Sequence, residues 1–361
     1  MRHGAVAKPR RMTVLVTGAA GVLGQALLQA LDDSIEPIGL VHSTPVPDPR
    51  VPSLRGDVSQ PRLGLSQEQY DELVRRVDCV VHSAALSKFS ESPARIVAAN
   101  VDGTEHMLRL AARAGATFLH VGSALERAPG ANDEMLERSP VARSTDVYRR
   151  SKLLADELVE RSAVPHVTVK PSLVLGDSRT GWSAKFQGIH MLIGYLMRGD
   201  IPALPFDPAT PVDCIPQDVV ADVIANLIHR PFDGAVYYAT LGSDAPTLGD
   251  LVEWGGQFAD EVGIPREDGL RFVDPDIVER LLRPVFMDQF SRRARRRIER
   301  ALEWESYVNQ RQLLKSSLPE LRRRFGVGHL PDLKEAYMAA LHYWANHSGI
   351  LERVKRRYSA V

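Results

Sequence analysis

The sequence predicts an α/β fold, a Rossmann-type doubly wound parallel sheet, with a smaller, mostly helical C-terminal substrate lobe. Two observations support this prediction. Apolar runs typical of buried strands alternate with amphipathic helical segments through the first half of the chain. In addition, Gly18, Gly21 and Gly24 stand where the first apolar run passes into the first helical segment. Such alternation produces right-handed strand–helix–strand units, and a sheet of this kind binds ligands at the carboxyl ends of its strands.

The individual elements follow from the same patterns. Strands are predicted at residues 13–17, 37–42, 79–83, 117–123 and 166–175, with helices at 22–31, 67–77, 93–114 and 147–161. From residue 176 the pattern loosens into a helix at 186–197, a proline-rich passage at 201–216, a helix at 218–229, a strand at 235–240 and helices at 248–262, 295–308, 312–324 and 333–346. We therefore expect a flexible tail at 1–11, a dinucleotide-binding core at 12–175, and a substrate-binding lobe with a helical extension at 176–361. The chain is expected to re-enter the core at about 212–240.

Composition limits the class of protein. With 361 residues, 44% of them hydrophobic, the chain can bury a large core. Its 45 basic residues balance 45 acidic ones, so no overall positive field would attract nucleic acid. Two cysteines, Cys79 and Cys214, favour a reducing compartment, and no signal peptide or run of about 18 apolar residues is present. We expect a cytoplasmic protein with no transmembrane segment. The eleven histidines lack the spacing of metal ligands, so no metal site is predicted.

The three glycines indicate a dinucleotide-binding turn. Gly18 permits the tight turn after the first strand, and Gly21 lets the backbone approach a pyrophosphate without a Cβ in the way. Gly24 lets the following helix pack closely on the strand. The N-terminus of that helix then presents free N–H groups and partial positive charge to the phosphates.

Tyr148 and Lys152 form the first candidate catalytic pair. They are four residues apart in a predicted helix, so they share one face. A free tyrosine has a pKa of about 10, and proton exchange near neutral pH requires a pKa about 3 units lower, or about 4 kcal/mol. The ammonium of Lys152 and an oxidised nicotinamide act in that direction.

Ser123 ends an apolar strand at the sheet edge, where its hydroxyl can hydrogen-bond a substrate oxygen. Each feature alone also fits a structural role, Ser123 as a turn former and the Tyr148–Lys152 pair as a solvated helix face. The glycine turn, the serine and the pair in this order favour a catalytic set.

The chain resembles the extended branch of the short-chain dehydrogenase/reductase superfamily over roughly residues 13–240. The matching segments are Thr17-Gly-Ala-Ala-Gly-Val-Leu-Gly24, Gly56-Asp57-Val58, His82-Ser-Ala-Ala85, Asn100-Val-Asp-Gly-Thr104, Val121-Gly-Ser-Ala124, Tyr148-Arg-Arg-Ser-Lys152 and Lys170-Pro-Ser-Leu-Val-Leu-Gly176. The resemblance implies that Ser123, Tyr148 and Lys152 are catalytic. It also implies a cofactor site made of Thr17, Gly18, Gly21, Val22, Leu23, Gly24, His42, Ser43, Asp57, Val58, Ala84, Ala85, Tyr148, Lys152 and Pro171, with Asp57 and Val58 beside the adenine.

Within that branch the chain resembles the group that contains thioester reductases and fatty acyl-CoA reductases. The segments that carry this likeness are Gly176-Asp-Ser-Arg-Thr-Gly181, Phe186-Gln-Gly188 and Pro211-Val-Asp213. Ser178, Arg179 and Thr180 follow the carboxyl end of a strand and are expected to contact the substrate; they equally fit a polar turn beside the pocket. The expected substrate is a small-molecule or carrier-bound acyl group, delivered by coenzyme A or by a separate acyl carrier protein.

The cofactor preference depends on the end of the second strand. A carboxylate there would bind the ribose 2'-hydroxyl of NAD and repel a 2'-phosphate. The sequence Val41-His-Ser-Thr44 has no acid at this point, so NADPH is predicted over NADH. Arg50 and Arg55 are the nearest cations.

These inferences predict an NADPH-dependent reductase that converts an acyl thioester to an aldehyde. Tyr148 donates a proton to the carbonyl oxygen that Ser123 holds, and Lys152 assists the phenol and binds the nicotinamide ribose. Two alternatives remain open from the sequence. One is an NAD-dependent nucleotide-sugar epimerase or dehydratase, and the other is a non-catalytic protein that senses the cofactor.

Overall fold

A parallel sheet of seven strands forms the centre of the protein, in the order Ser53–Arg55, Ile35–Val41, Met12–Thr17, Cys79–His82, Thr117–Val121, His166–Pro171 and Val236–Ala239. The computed structural model describes residues 10–87, 91–125, 140–186, 203–204, 206–264, 271–272 and 313–353. The first six strands have the order of a Rossmann fold, and all of their pairings are parallel. The predicted fold class is confirmed.

The elements have the following bounds. The strands are β1 Met12–Thr17, β2 Ile35–Val41, β3 Ser53–Arg55, β4 Cys79–His82, β5 Thr117–Val121, β6 His166–Pro171, β7 Leu173–Leu175, β8 Ala203–Leu204, β9 Cys214–Pro216, β10 Val236–Ala239 and β11 Arg271–Phe272. The helices are α1 Val22–Ala30, α2 Gln67–Arg76, α3 Pro93–Val97, α4 Gly103–Ala114, α5 Pro140–Glu160, α6 Gln217–Leu227, α7 Leu248–Glu261, α8 Leu318–Phe325 and α9 Leu333–Ser348. Short 3₁₀ turns lie at Pro61–Gly64 and Gly242–Asp244, and a π-helical turn at Ala98–Asp102 joins α3 to α4.

Helices cover both faces of the sheet, which explains why its strands are continuous apolar runs. One face packs with α1 and α6 in a cluster that includes Val14, Val16, Leu27, Val81, Leu119, Val169, Val220 and Ile224. The other packs with α2 and α4 in a cluster that includes Leu15, Leu73, Val80, Met107, Leu110 and Phe118. A third cluster joins α7 and α9 to β7 and β9, and includes Leu175, Cys214, Leu251, Phe258, Tyr337, Leu341 and Trp344.

The register aligns the carboxyl ends of the central strands. Thr17 of β1 lies opposite His82 of β4, and His82 lies opposite His120 of β5. Val41 of β2 lies opposite Arg55 of β3. The segments that follow these strands therefore emerge along one edge of the sheet.

Several boundaries differ from the prediction. Strand β3 was not predicted, because it contains only three residues and lies at the edge of the sheet. The predicted strand at 166–175 divides at Ser172, since Leu173–Leu175 pairs with Cys214–Pro216 in a separate two-stranded sheet. Helix α5 begins at Pro140, before the predicted start at 147.

Some predictions fall on other parts of the chain. Residues 1–9 of the expected tail, most of the helix at 186–197 and the whole helix at 295–308 lie outside the described residues. No helix in the described ranges is both long and apolar enough to cross a membrane.

The turn at Gly176–Gly181 packs against α9 with no room for a side chain at Gly181. Its φ is +68°, in the left-handed region, and a Cβ there would overlap the carbonyl group of Ala339. Gly115, at the C-terminus of α4, has a similar φ of +64° but nothing within 4 Å of an added Cβ. The two glycines share the backbone constraint and differ in packing.

We expect Gly115→Ala to lower the free energy of unfolding by about 1–2 kcal/mol, the cost of a left-handed alanine. Gly181→Ala should cost about 1–3 kcal/mol more, because α9 must also move. Urea unfolding of both variants measures the difference. Equal losses would show that the turn does not pack against α9.

Candidate active site

The glycine turn after β1 is sterically closed to larger residues. Gly18 has a φ of +67°, and a Cβ on it would lie 2.9 Å from the backbone nitrogen of Ala84. A Cβ on Gly24 would overlap the carbonyl oxygen of Gly18, and one on Gly21 would lie 2.9 Å from that oxygen. Gly21 is the N-cap of α1 and supplies no side-chain cap, so the start of this helix can offer N–H groups to an anion. The turn therefore fits a pyrophosphate.

Hydrogen bonds between uncharged groups connect this turn to β4 and α4. The Thr17 hydroxyl lies 2.8 Å from His82 Nδ1 and accepts the N–H of Ala84 at 3.1 Å. His82 Nε2 lies 3.2 Å from the Thr104 hydroxyl, which donates to the carbonyl of Asn100 at 2.7 Å. Burial lowers the pKa of His82, so its ring is neutral. Nε2 then carries the hydrogen, and Nδ1 accepts from Thr17.

The predicted cofactor residues follow the carboxyl ends of β1, β2, β3, β4 and β6. His42 Nε2 lies 3.7 Å from the Asp57 carboxylate, which accepts the N–H and hydroxyl of Ser59 at 2.9 and 2.7 Å. Val58 packs against Gly103, since a Cβ added to Gly103 would lie 3.0 Å from Val58 Cγ2. The remaining predicted cofactor residues in these segments are Val22, Leu23, Ser43, Ala84, Ala85 and Pro171. Thr17 is fully buried, and its hydroxyl is engaged inside the fold.

Lys152 ties α5 to the end of β5. Its buried ammonium donates a hydrogen bond to the carbonyl oxygen of Val121 at 2.7 Å. Tyr148 is half-buried one helical turn earlier, and Ser123 lies two residues after Val121. The Ser123 oxygen accepts the N–H of Leu125 at 3.2 Å, so its hydrogen can be donated elsewhere. The predicted catalytic residues thus belong to two elements that meet at the end of β5.

The surroundings of Tyr148 oppose the predicted lowering of its pKa by Lys152. Burial raises the pKa of Tyr148 to about 12, and the negative charge of Asp156 adds to the effect. Burial also lowers the pKa of Lys152 to about 8. Removal of the phenol from water is the main cause of the rise in its pKa, and the Lys152 ammonium bonds to the carbonyl oxygen of Val121. The phenol is therefore protonated at neutral pH, the form that can donate a proton.

Asn100 is a site residue that the sequence reasoning placed only within a matching segment. It lies in the π-helical turn, where its Oδ1 accepts the N–H of Leu86 at 2.7 Å and its Nδ2 donates to the Ser151 hydroxyl at 2.9 Å. Ser151 in turn donates to the carbonyl of Tyr148 at 2.6 Å. Asn100 thus connects the loop after β4 to the helix that carries Tyr148. π-Helical turns are frequent at functional sites.

The hydroxyl groups of the predicted substrate loop are engaged within the protein. The Ser178 hydroxyl donates to the Asp218 carboxylate at 2.7 Å, and that of Thr180 donates to Asp177 at 2.8 Å. These bonds support the polar-turn alternative for both residues. Arg179 is exposed, so its guanidinium is the group of this loop best able to reach a ligand. Gln187 and Gly188 of the second matching segment lie outside the described residues.

No group of three or more histidine, cysteine, aspartate or glutamate residues in the described ranges could hold a metal ion. Both cysteines, Cys79 and Cys214, are buried free thiols, and burial raises their pKa values. Thiol chemistry therefore has no support at this site.

Comparison with known proteins gives matches of family and of fold. Residues 46–224, about half of the chain, match the family model described as male sterility protein, an NAD-binding family. The chain is 30% identical over 254 residues to glycine betaine reductase ATRR of Emericella nidulans, a match that covers 60% of this chain and 20% of that protein. The chain spans a fifth or less of the length of the curated relatives it matches.

Two solved structures show the same fold. The terminal R domain from the myxalamid PKS-NRPS biosynthetic pathway has a TM-score of 0.70 and 22% identity, and the match covers 95% of this chain and 92% of that one. The enzyme WbmG of Bordetella bronchiseptica, solved with NAD and UDP, has a TM-score of 0.64 and 20% identity, with coverage of 94% and 96%. Residues 46–224 therefore match the family described as male sterility protein, and the fold is the one found in the R domain and in WbmG.

Proposed function

We propose that the protein is a reductase that converts an acyl thioester to an aldehyde with NADPH. The observation that carries this proposal is the hydrogen bond from Lys152 to Val121, which holds α5 against the end of β5. This bond supports a site in which Tyr148 and Ser123 lie at the sheet edge that also carries the glycine turn. The reductases among the relatives, glycine betaine reductase and a terminal R domain of a synthetase pathway, support the reaction class.

The residues present fit a dinucleotide, because the glycine turn has the close backbone contacts that a Cβ would fill. Gly18, Gly21 and Gly24 would hold its pyrophosphate, and Asp57 and Val58 its adenine. When bound, NADPH supplies the hydride that reduces the carbonyl carbon. Ser123 donates a hydrogen bond to the carbonyl oxygen, and Tyr148 donates its proton there. The resulting hemithioacetal then loses the thiol as its carbon–sulfur bond breaks, leaving the aldehyde.

Arg55 is the better candidate of the two arginines for the 2'-phosphate of NADPH. The Arg50 guanidinium is paired with Asp48 at 2.7 Å. Arg55 is exposed at the end of β3, opposite Val41, and pairs with no carboxylate in the described part of the chain. His42 follows Val41 at the same edge. The Arg55 guanidinium supplies a positive charge for the phosphate, and a ring N–H of His42 can donate a hydrogen bond to it.

A second candidate function is NAD-dependent chemistry on a nucleotide sugar; a protein of the same fold, WbmG, was solved with NAD and UDP bound. The two functions differ in how the cofactor is used. A thioester reductase consumes NADPH with each turnover, whereas an epimerase retains its NAD. Cofactor that copurifies with the protein would therefore support the second function.

The direct test incubates purified protein with NADPH and a panel of acyl-CoA and carrier-bound acyl thioesters. Cofactor oxidation and thiol release are recorded together, and the proposal expects them to be equimolar for an aldehyde product. Oxidation without thiol release would indicate an ordinary ketone or aldehyde substrate instead. No reaction with any thioester would contradict the proposal.

Tyr148→Phe removes the proton donor and leaves the ring. We expect kcat to fall by about 10²- to 10⁴-fold, while the Kd for NADPH, measured by fluorescence, changes little. Tyr70→Phe, on α2 outside the site, is the matched control and should keep the wild-type kcat. An unchanged kcat in Tyr148→Phe would rule out the assigned role and revive the non-catalytic sensing protein.

Arg55→Gln tests the cofactor preference. Loss of one charge-assisted contact should raise the KM for NADPH about tenfold, since such contacts contribute about 1.5–3 kcal/mol. The KM for NADH should stay the same, and Arg50→Gln should affect neither cofactor strongly. Equal changes for both cofactors, or a larger effect of Arg50→Gln, would contradict the assignment of Arg55.

The charge of Lys152 predicts an alkaline decline in activity. The ammonium is charged below its pKa of about 8 and neutral above it, whereas the Tyr148 phenol, with a pKa of about 12, remains protonated throughout. We expect kcat/KM for the thioester to decrease between pH 7 and pH 9. A rate that rises through this range would show that the neutral amine is the active form.

A further inference from the structure

A buried carboxylate lies one helical turn beyond Lys152 on α5. Asp156 Oδ2 is 2.9 Å from Lys170 Nζ of β6, and Asp156 Oδ1 is 3.0 Å from His120 Nε2 of β5. The side chains of His120, Lys170 and Asp156 are only 1%, 10% and 15% exposed. Neither the sequence reasoning nor the proposed reaction uses these three groups.

The cluster has an unequal number of charges. Burial lowers the pKa of His120 to about 4, so its ring is neutral and its Nε2–H donates to Asp156. The carboxylate of Asp156 stays ionised, because its hydrogen bonds to His120 and Lys170 outweigh burial and lower its pKa. One anion therefore acts on two cations: Asp156 is paired with Lys170, and its charge also favours the charged form of Lys152. Without the carboxylate, two ammonium groups would face each other in a medium that screens them poorly.

The groups that pack around the cluster include one further cation, Lys315. His82, neutral through burial, stacks on His120 with ring centroids 5.9 Å apart. On the other side the Tyr238 ring of β10 lies between two ammonium groups, with Lys170 Nζ at 5.8 Å and Lys315 Nζ at 5.2 Å from its centroid. Tyr148, on α5, is protonated at neutral pH. Asp156 thus supplies the negative charge that faces Lys152 among these described groups.

The cluster adjoins the strand end that carries Ser123. A Cβ added to Gly122 would lie 2.8 Å from Asp156 Oδ1, so the carboxylate reaches the backbone between Val121 and Ser123. Lys152 bonds to the carbonyl of Val121 on the same segment. The ammonium and the carboxylate therefore approach the end of β5 together.

We propose that Asp156 is a positioning residue whose carboxylate, held by Lys170 and His120, keeps the Lys152 ammonium charged at the end of β5. Burial alone favours loss of the Lys152 proton, and the carboxylate opposes that loss. As a role in catalysis this inference rests on the proposed function. The charge coupling itself is a property of the free protein and can be measured without a substrate.

The test follows the titration of Lys152 by NMR in protein labelled with ¹³C-lysine. The chain has eight lysines, and Lys152→Met identifies the Lys152 signal. In Asp156→Asn we expect the midpoint to fall by on the order of one pH unit, because an attractive charge is lost while the repulsion from Lys170 remains. In Lys170→Gln we expect a rise of similar size, because a repulsive charge is lost. The double variant, which removes one charge of each sign, should return close to the wild-type midpoint.

Opposite shifts of the Lys152 midpoint in the two single variants would distinguish an effect of charge from a loss of packing. A general loosening of the core would move both midpoints in the same direction. If Asp156→Asn does not fold, the test depends on the upward shift of the Lys152 midpoint in Lys170→Gln. Midpoints that stay at the wild-type value, or a downward shift in Lys170→Gln, would overturn the proposal.

Activity supplies an independent readout. For a midpoint that falls by about one unit, kcat/KM of Asp156→Asn should be about fivefold below wild type at pH 8 and nearly equal at pH 6.5, where Lys152 is mostly charged in both proteins. Equal losses at the two pH values would indicate a merely structural role. If the wild-type protein reduces no thioester, the proposed function fails, whereas the NMR midpoints still decide the inference about Asp156.

Discussion

A buried ammonium group on α5 is the constraint on which the candidate site depends. Removing such a charge from water is costly unless acceptors and a counter-charge are supplied. Val121 supplies a carbonyl oxygen to Lys152, and the Asp156 carboxylate faces it from the next turn. These requirements fix α5 against the end of β5. Tyr148 and Ser123 are brought to one edge of the sheet as a consequence.

The cofactor side of the site is held by neutral groups. Thr17, His82 and Thr104 form a chain of buried hydrogen bonds that joins the glycine turn to β4 and α4. Because burial keeps His82 uncharged, this chain adds no positive charge beside Lys152. Asn100 and Ser151 then connect the loop after β4 to α5. The site therefore combines uncharged hydrogen-bonded groups next to the glycine turn with charged groups near the end of β5.

The fold could be predicted because its signals are local in the sequence. Apolar runs identified the long central strands, and the glycine spacing placed the turn after β1. Strand β3 was missed because three residues at a sheet edge form no apolar run. The split of 166–175 at Ser172 was missed because only pairing with β9, about 40 residues later, reveals it.

The pKa shifts and ion pairs of the site could not be predicted from the sequence. The spacing of Tyr148 and Lys152 suggested a lowered phenol pKa, but spacing carries no information about burial, which raises that pKa. Asp156 of α5 contacts His120 of β5 and Lys170 of β6, and the distances between these residues along the sequence do not predict the contacts.

Hydride transfer to the thioester can be measured directly with NADPH that carries deuterium at the transferable position of C4. The protein is incubated with this cofactor and an acyl thioester, and the aldehyde is trapped as a hydrazone and analysed by mass spectrometry. If NADPH reduces the thioester, the aldehyde carbon carries one deuterium. Unlabelled aldehyde, or no aldehyde, would contradict the proposed reaction.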